Sequence, residues 1–106
     1  MSWGIELETP QGDVLEVFDG HTYNLTPMWR LARVVEERSS ELDGIAAHEA
    51  GIRASRGLLR AVTRPDVFRH LNPENGWGDF DGFVAMLTRL AIACADNPTA
   101  LVRWNG

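Results

Sequence analysis

Phe80, Phe83, Val84, Leu87, Leu90, Ala91 and Cys94 recur at i, i+3, i+4 and i+7 spacing, which places all seven on one side of an α-helix. No other segment constrains the fold as strongly, because a stripe this wide must be covered by a second apolar surface. Asp79 suits the N-cap of this helix, and Asn97-Pro98 ends it.

The covering surface is read from segments with the period of a strand. In WGIELE, residues 3–8, Trp3, Ile5 and Leu7 fall on one face and Glu6 and Glu8 on the other. Thr9 to Asp13 has turn chemistry and VLEVF, residues 14–18, is rich in strand formers, so the chain opens with a hairpin followed by a loop over Asp19–Asn24. At the other end, residues 99–105 form a third strand with Ala100, Val102 and Trp104 on one face.

Between these strands, Thr26-Pro27 marks a helix start, with Thr as N-cap, and Met28, Leu31, Ala32 and Val35 extend a stripe to about Arg38. A second helical face is read from Ile45, Ile52, Leu58, Leu59 and Val62, although Gly51 and Gly57 within it each cost about 1 kcal/mol relative to Ala. Pro65-Asp66 starts a short helix through about Leu71. The order strand, strand, helices, strand predicts an α+β fold with one domain over residues 1–106: a small antiparallel sheet, made of the N-terminal hairpin and the C-terminal strand, with helices on one face. Either the first or the last strand could pair edge to edge with a second copy, so a homodimer is also expected.

Charge narrows the function classes. The net charge is −5, and all of it sits in residues 1–29, where five carboxylates stand without a basic residue; ten carboxylates and ten Arg balance in the remainder. An acidic chain without a basic stripe is a poor ligand for a phosphate backbone, so no nucleic acid is expected. Glu6, Glu8 and Glu16 on one sheet face could meet a basic partner or imitate a nucleic-acid backbone, but five excess charges are few for a mimic and a charged face is usually just a solvated one. With no long apolar run and neither a basic start nor an apolar core at its N-terminus, the chain reads as a cytoplasmic protein without a membrane partner.

NPENGWGDF, residues 72–80, interrupts the helical pattern. Asn72-Pro73 stops the preceding helix, Asn75-Gly76 is a strong turn dipeptide, and Gly78 allows a second sharp change of direction. Trp77 then has two readings: an anchor that holds the loop against the core, or the wall of a pocket or interface, where Trp is enriched. His21, Tyr23 and Asn24 form the one polar and aromatic loop cluster that could face it, and these residues with Asn75 and Trp77 are the candidate binding residues. The alternative for Tyr23 and Asn24 is local capping of the neighbouring helix.

Other chemistry finds little support. His21, His48 and His70 stand apart, and His48-Glu49 lacks the second histidine of a zinc-protease motif because position 52 is Ile, so no metal or cofactor is expected. No serine lies on a GxSxG elbow, and the lone Cys94 sits among Leu87, Leu90 and Ala91 as a small apolar residue does, so no catalytic residue is assigned.

Three segments, TYNLTPMW at 22–29, NPENGWGDF at 72–80 and LAIACADNPTALVR at 90–103, give the chain a resemblance along nearly its whole length to a family of small uncharacterised proteins of bacterial and phage genomes. The features that carry it are Asn24, the loop Asn75 to Gly78, Ala93-Cys94 and Asn97-Pro98, and residues 38–64 match least. The resemblance implies a phage or prophage setting and attaches no activity. The expectation is a non-enzymatic protein that binds an as yet unidentified protein partner through the surface around Trp77. The alternative is a small-molecule binder or weak enzyme whose polar cleft uses His21 as general base.

Overall fold

The computed structural model describes all residues from Met1 to Gly106. Its elements are β1 (Ser2–Glu8), β2 (Val14–Thr22), a 3-10 turn (Tyr23–Leu25), α1 (Thr26–Leu31), a second 3-10 turn (Ser39–Leu42), α2 (Ala47–Thr63), α3 (Pro65–Arg69), α4 (Phe80–Asp96) and β3 (Leu101–Asn105). The three strands form an antiparallel sheet in the order β2-β1-β3. Trp3, Ile5, Leu7 and Val102 are buried on the face that the helices cover, while Glu8 on the other face pairs with Arg103 at 2.8 Å. Arg103 thus offsets one of the three charges of Glu6, Glu8 and Glu16, and Asn105 donates to Glu6, so two of the three carboxylates are engaged within the sheet, which counts against mimicry of a nucleic acid. No helix is long and apolar enough to cross a membrane.

β2 runs further than its apolar pattern indicates, because of a bulge. Trp3 pairs with His21 and Ile5 with Phe18, so β2 has one more residue than β1 between these pairs, and Gly20 takes up the irregularity at φ 69°. Strict alternation from Phe18 would turn His21 outward; the extra residue turns both into the core, where each is buried. The segment 19–22, expected as loop, is therefore strand.

Neither β1 nor β3 offers a free edge. β1 is central, and the outer side of β3 is bonded to the segment before α2, with Gly44 and Ala47 donating to Val102 and Ala100 and Val102 donating to Ile45. The open edge is β2, which carries Glu16 and Asp19 and no Lys or Arg. Acidic side chains on an edge oppose pairing with an identical strand.

The helices depart from the sequence reading in three places. Thr26 is the first helical residue of α1 rather than its N-cap, because the 3-10 turn leads directly into it. α1 then ends at Leu31, short of Arg38: Val34 N–H bonds to Trp29 O and Arg33 N–H to Arg30 O, the paired bonds of a Schellman ending, with Arg33 in the left-handed region at φ 61°. Beyond it the Glu41 carboxylate accepts the backbone N–H groups of Glu36, Glu37 and Arg38 at 2.6–2.8 Å. The Arg38 and Glu36 bonds hold its pKa below the ordinary carboxylate value.

The third departure is the buried face of α2. Ala47, Ala50, Ala54, Gly57 and Ala61 face the core, whereas Ile52, Leu59 and Val62, assigned to it by their size, are exposed. Small residues win here because α2 lies close to its neighbours: a Cβ on Gly51 would stand 2.9 Å from Cys94 Cβ, and one on Gly57 2.9 Å from Val34 Cγ2. Phe83, Leu87 and Leu90 of α4 supply the bulk that α2 omits. The glycines therefore mark close approach in an unbroken helix. α4 itself matches its pattern, with Asp79 Oδ1 accepting from Gly82 N–H at 2.8 Å as the cap.

An arginine at a left-handed helix ending is strained by roughly 1 kcal/mol relative to glycine. Arg33→Gly is accordingly expected to raise the urea midpoint, by a stability gain of about 0.5–1 kcal/mol. A loss of stability in that assay would show that the Arg33 side chain holds the chain together here.

Candidate functional site

The bulge in β2 determines which of the candidate residues meet. His21 is turned inward, and the next residues, Thr22 to Asn24, emerge at the surface as the 3-10 turn, whose start is fixed by Thr22 Oγ1 accepting from Asn24 N–H at 3.2 Å. Opposite lies the loop that precedes α4. Asn75 Oδ1 accepts the Trp77 N–H at 2.9 Å, and Gly76 and Gly78 adopt φ of 76° and 93°, so the loop is a double turn that only small residues tolerate.

Gly78, rather than Trp77, docks this loop. A Cβ at Gly78 would stand 2.6 Å from Thr22 Cγ2 and 3.0 Å from Leu25 Cδ1, so the backbone itself lies against the Tyr23 turn. Asn72 Oδ1, accepting from Phe80 N–H at 2.9 Å, closes the loop at its base. The Trp77 side chain is 69% exposed, which removes the reading of Trp77 as a core anchor.

The two loops thus share one end of the domain. Between them lies an open groove of about 740 Å³ whose lining includes Thr22, Tyr23, Asn24, Asn75 and Trp77, with the N-terminal Met1 and Ser2 at its margin. A second recess of about 330 Å³, which shares Gly20, Thr22 and Trp77 with the groove, is bounded by Asp19, His21, Gly78 and Asp79. Four of the five sequence candidates therefore line one groove. The Asn75 side-chain carbonyl is engaged in the turn, which leaves its amide N–H groups to face outward.

His21 stands apart from the other four. It is only 6% exposed, and its Nε2 accepts the Trp29 indole N–H at 3.0 Å, so the neutral ring carries its proton on Nδ1. Trp3, Phe18 and Trp29 each meet it edge to face, with ring centroids 5.2–5.6 Å from the imidazole. Burial lowers its pKa to about 4 from the ordinary 6.5. A base needs a free lone pair within reach of a substrate, and this one is already occupied inside the core.

The other nucleophile and ligand candidates are equally enclosed or dispersed. Cys94 is buried, and desolvation pushes its thiol up to about 11, leaving it protonated at neutral pH. No three His, Cys, Asp or Glu side chains converge with the spacing of a metal site. No family model, curated protein or solved structure matches this chain. The groove between the two loops is consequently read from its own geometry.

The buried imidazole makes stability depend on pH. Below 6.5 the unfolded chain gains a proton at His21 that the folded chain refuses until about pH 4, so stability falls as pH drops through that interval. The gap corresponds to about 3 kcal/mol. Urea unfolding from pH 7 to pH 4 is expected to show this loss, and His21→Gln, which keeps an acceptor for Trp29, to flatten it; equal slopes for the two proteins would refute the assignment.

Proposed function

We propose that this chain is a non-enzymatic protein of phage or prophage type that works in the cytoplasm by binding another protein through the surface of Tyr23, Asn24, Asn75 and Trp77. The observation that carries the proposal is a tryptophan left 69% exposed on a turn whose backbone is tightly fixed. Tryptophan is the side chain that contributes most often to interface hot spots, where its ring fills a pocket of the partner. A hydrogen-bonded turn that is formed before association lowers the ordering cost of binding. Around it stand a phenol, two amides and exposed backbone, which supply directional hydrogen bonds at the rim of such a contact.

The groove suits a protein better than a reaction. It is open, its lining contains no Lys, Arg, Asp or Glu side chain, and the nearby imidazole is spent on Trp29. Substrate chemistry would ask for an activated acid, base or nucleophile facing the groove, and the Tyr23 phenol that lines it has no hydrogen-bonded side chain to activate it. The alternative of a polar cleft worked by His21 therefore has less support than recognition of a partner.

The test uses Trp77→Ala. Because the ring is largely in water, the variant is expected to unfold within about 0.5 kcal/mol of the wild type. Affinity capture from a lysate of the native host, with mass spectrometry, is then expected to recover a partner with the wild type that the folded variant fails to hold. A partner retained equally by both proteins would rule out this surface as the interface.

A further inference from the structure

A second concave surface lies away from the loops and shares no lining residue with them: a groove of about 470 Å³ between the end of α1, the C-terminal half of α2, and α3. Its apolar lining is Leu31, Leu59, Val67 and Phe68, and Leu59 is 65% exposed, a large aliphatic side chain left uncovered. Its charged lining is Arg33, Arg60 and Arg64, with no carboxylate among the lining residues. The ion pairs of the protein engage Arg53, Arg69 and Arg103, so none of these three guanidinium groups is neutralised. In a chain of net charge −5, three unpaired cations converging on an apolar concavity are an uncompensated feature.

Two details show how the cluster is held. Arg60 Nη1 donates to Ala32 O at 2.8 Å, which fixes this guanidinium at the end of α1 and spends part of its donor set. Arg33 occupies the left-handed position where glycine is the ordinary residue, and the strain brings a charged side chain to the rim that glycine would not supply.

We infer that this groove binds a small organic carboxylate with an apolar body. The forks of Arg33 and Arg64 would take the two carboxylate oxygens, the geometry that a planar guanidinium matches best, while the body lies on Leu31, Leu59 and Val67. Arg60 keeps its charge but has spent a donor on the Ala32 carbonyl, so Arg33 and Arg64 supply the two forks left to grip one carboxylate. The volume falls within the range of small-molecule sites.

Decanoate at submicellar concentration is the probe, followed by calorimetry and by NMR of the backbone amides, with acetate and 1-decanol as the head alone and the body alone. Decanoate is expected to bind at least about tenfold more tightly than either control and to shift the amides of Leu31, Arg33, Leu59, Arg64 and Val67. Arg33→Gly, which suits the local backbone, and Arg64→Gln are each expected to weaken it several-fold while remaining folded by circular dichroism. Absence of decanoate binding, equal binding of decanol, shifts centred on Trp77, or undiminished affinity in both variants would each overturn the inference.

Discussion

The hydrogen bond from the Trp29 indole to His21 Nε2 is the interaction around which the rest of the molecule is arranged. It joins β2 to α1 inside a cluster that also includes Trp3, Phe18 and, through Trp29, Phe83 of α4, so sheet and helices meet at one buried polar contact. A buried donor or acceptor without a partner would cost about 1–3 kcal/mol, and here the Trp29 N–H and His21 Nε2 satisfy each other. Trp3 enters the same cluster with its indole N–H unpartnered, a cost that the burial of a ring of this size has to offset. The direction of the bond sets the imidazole neutral and proton-bearing on Nδ1, and so fixes its chemistry as structural.

That contact depends in turn on the bulge at Gly20, and the bulge has a consequence at the surface. Once His21 is drawn inward, the chain must leave the sheet immediately afterwards, and it does so as the turn Tyr23–Leu25. Gly78 then lies against Thr22 and Leu25, where no side chain would fit. Core packing and the presentation of Trp77 are therefore coupled through two or three residues of backbone. A hydrogen-bonded turn carrying an exposed ring is the outcome of that coupling.

The extent to which this was legible differs by element. β1, β3 and α4 were readable because each has one wet and one dry face, which gives a clean period, whereas β2 is exposed over its first residues and bulged further on. α2 misled because its dry face is built from Ala and Gly, and size-based patterning selects Ile52, Leu59 and Val62 instead. The early end of α1 was hidden because an arginine stands where a glycine would have signalled it. At the candidate site, the turn chemistry of Asn75-Gly76 and Gly78 was visible in the residues, whereas the burial of His21 required knowledge of a one-residue register shift. The cluster of Arg33, Arg60 and Arg64 was only half visible: Arg60 and Arg64 stand four apart at the end of α2, whereas Arg33 joins them from the end of α1, which no pattern in the sequence indicates.

The arginine groove and the small-residue face of α2 have one physical origin. Gly57 lets α2 approach Ala32 and Val34 closely, and this approach requires α1 to stop and turn away, which the Arg33 ending accomplishes. With its small face committed to the core, α2 must carry its larger side chains outward, and Leu59 is thereby left beside the shortened end of α1 and the start of α3. Arg60, one residue further along, is then within reach of the Ala32 carbonyl that the helix ending exposes. Close packing of α2 against the end of α1 thus leaves an apolar concavity with cationic edges beside that contact, and an anionic amphiphile is the complement that such a surface lacks.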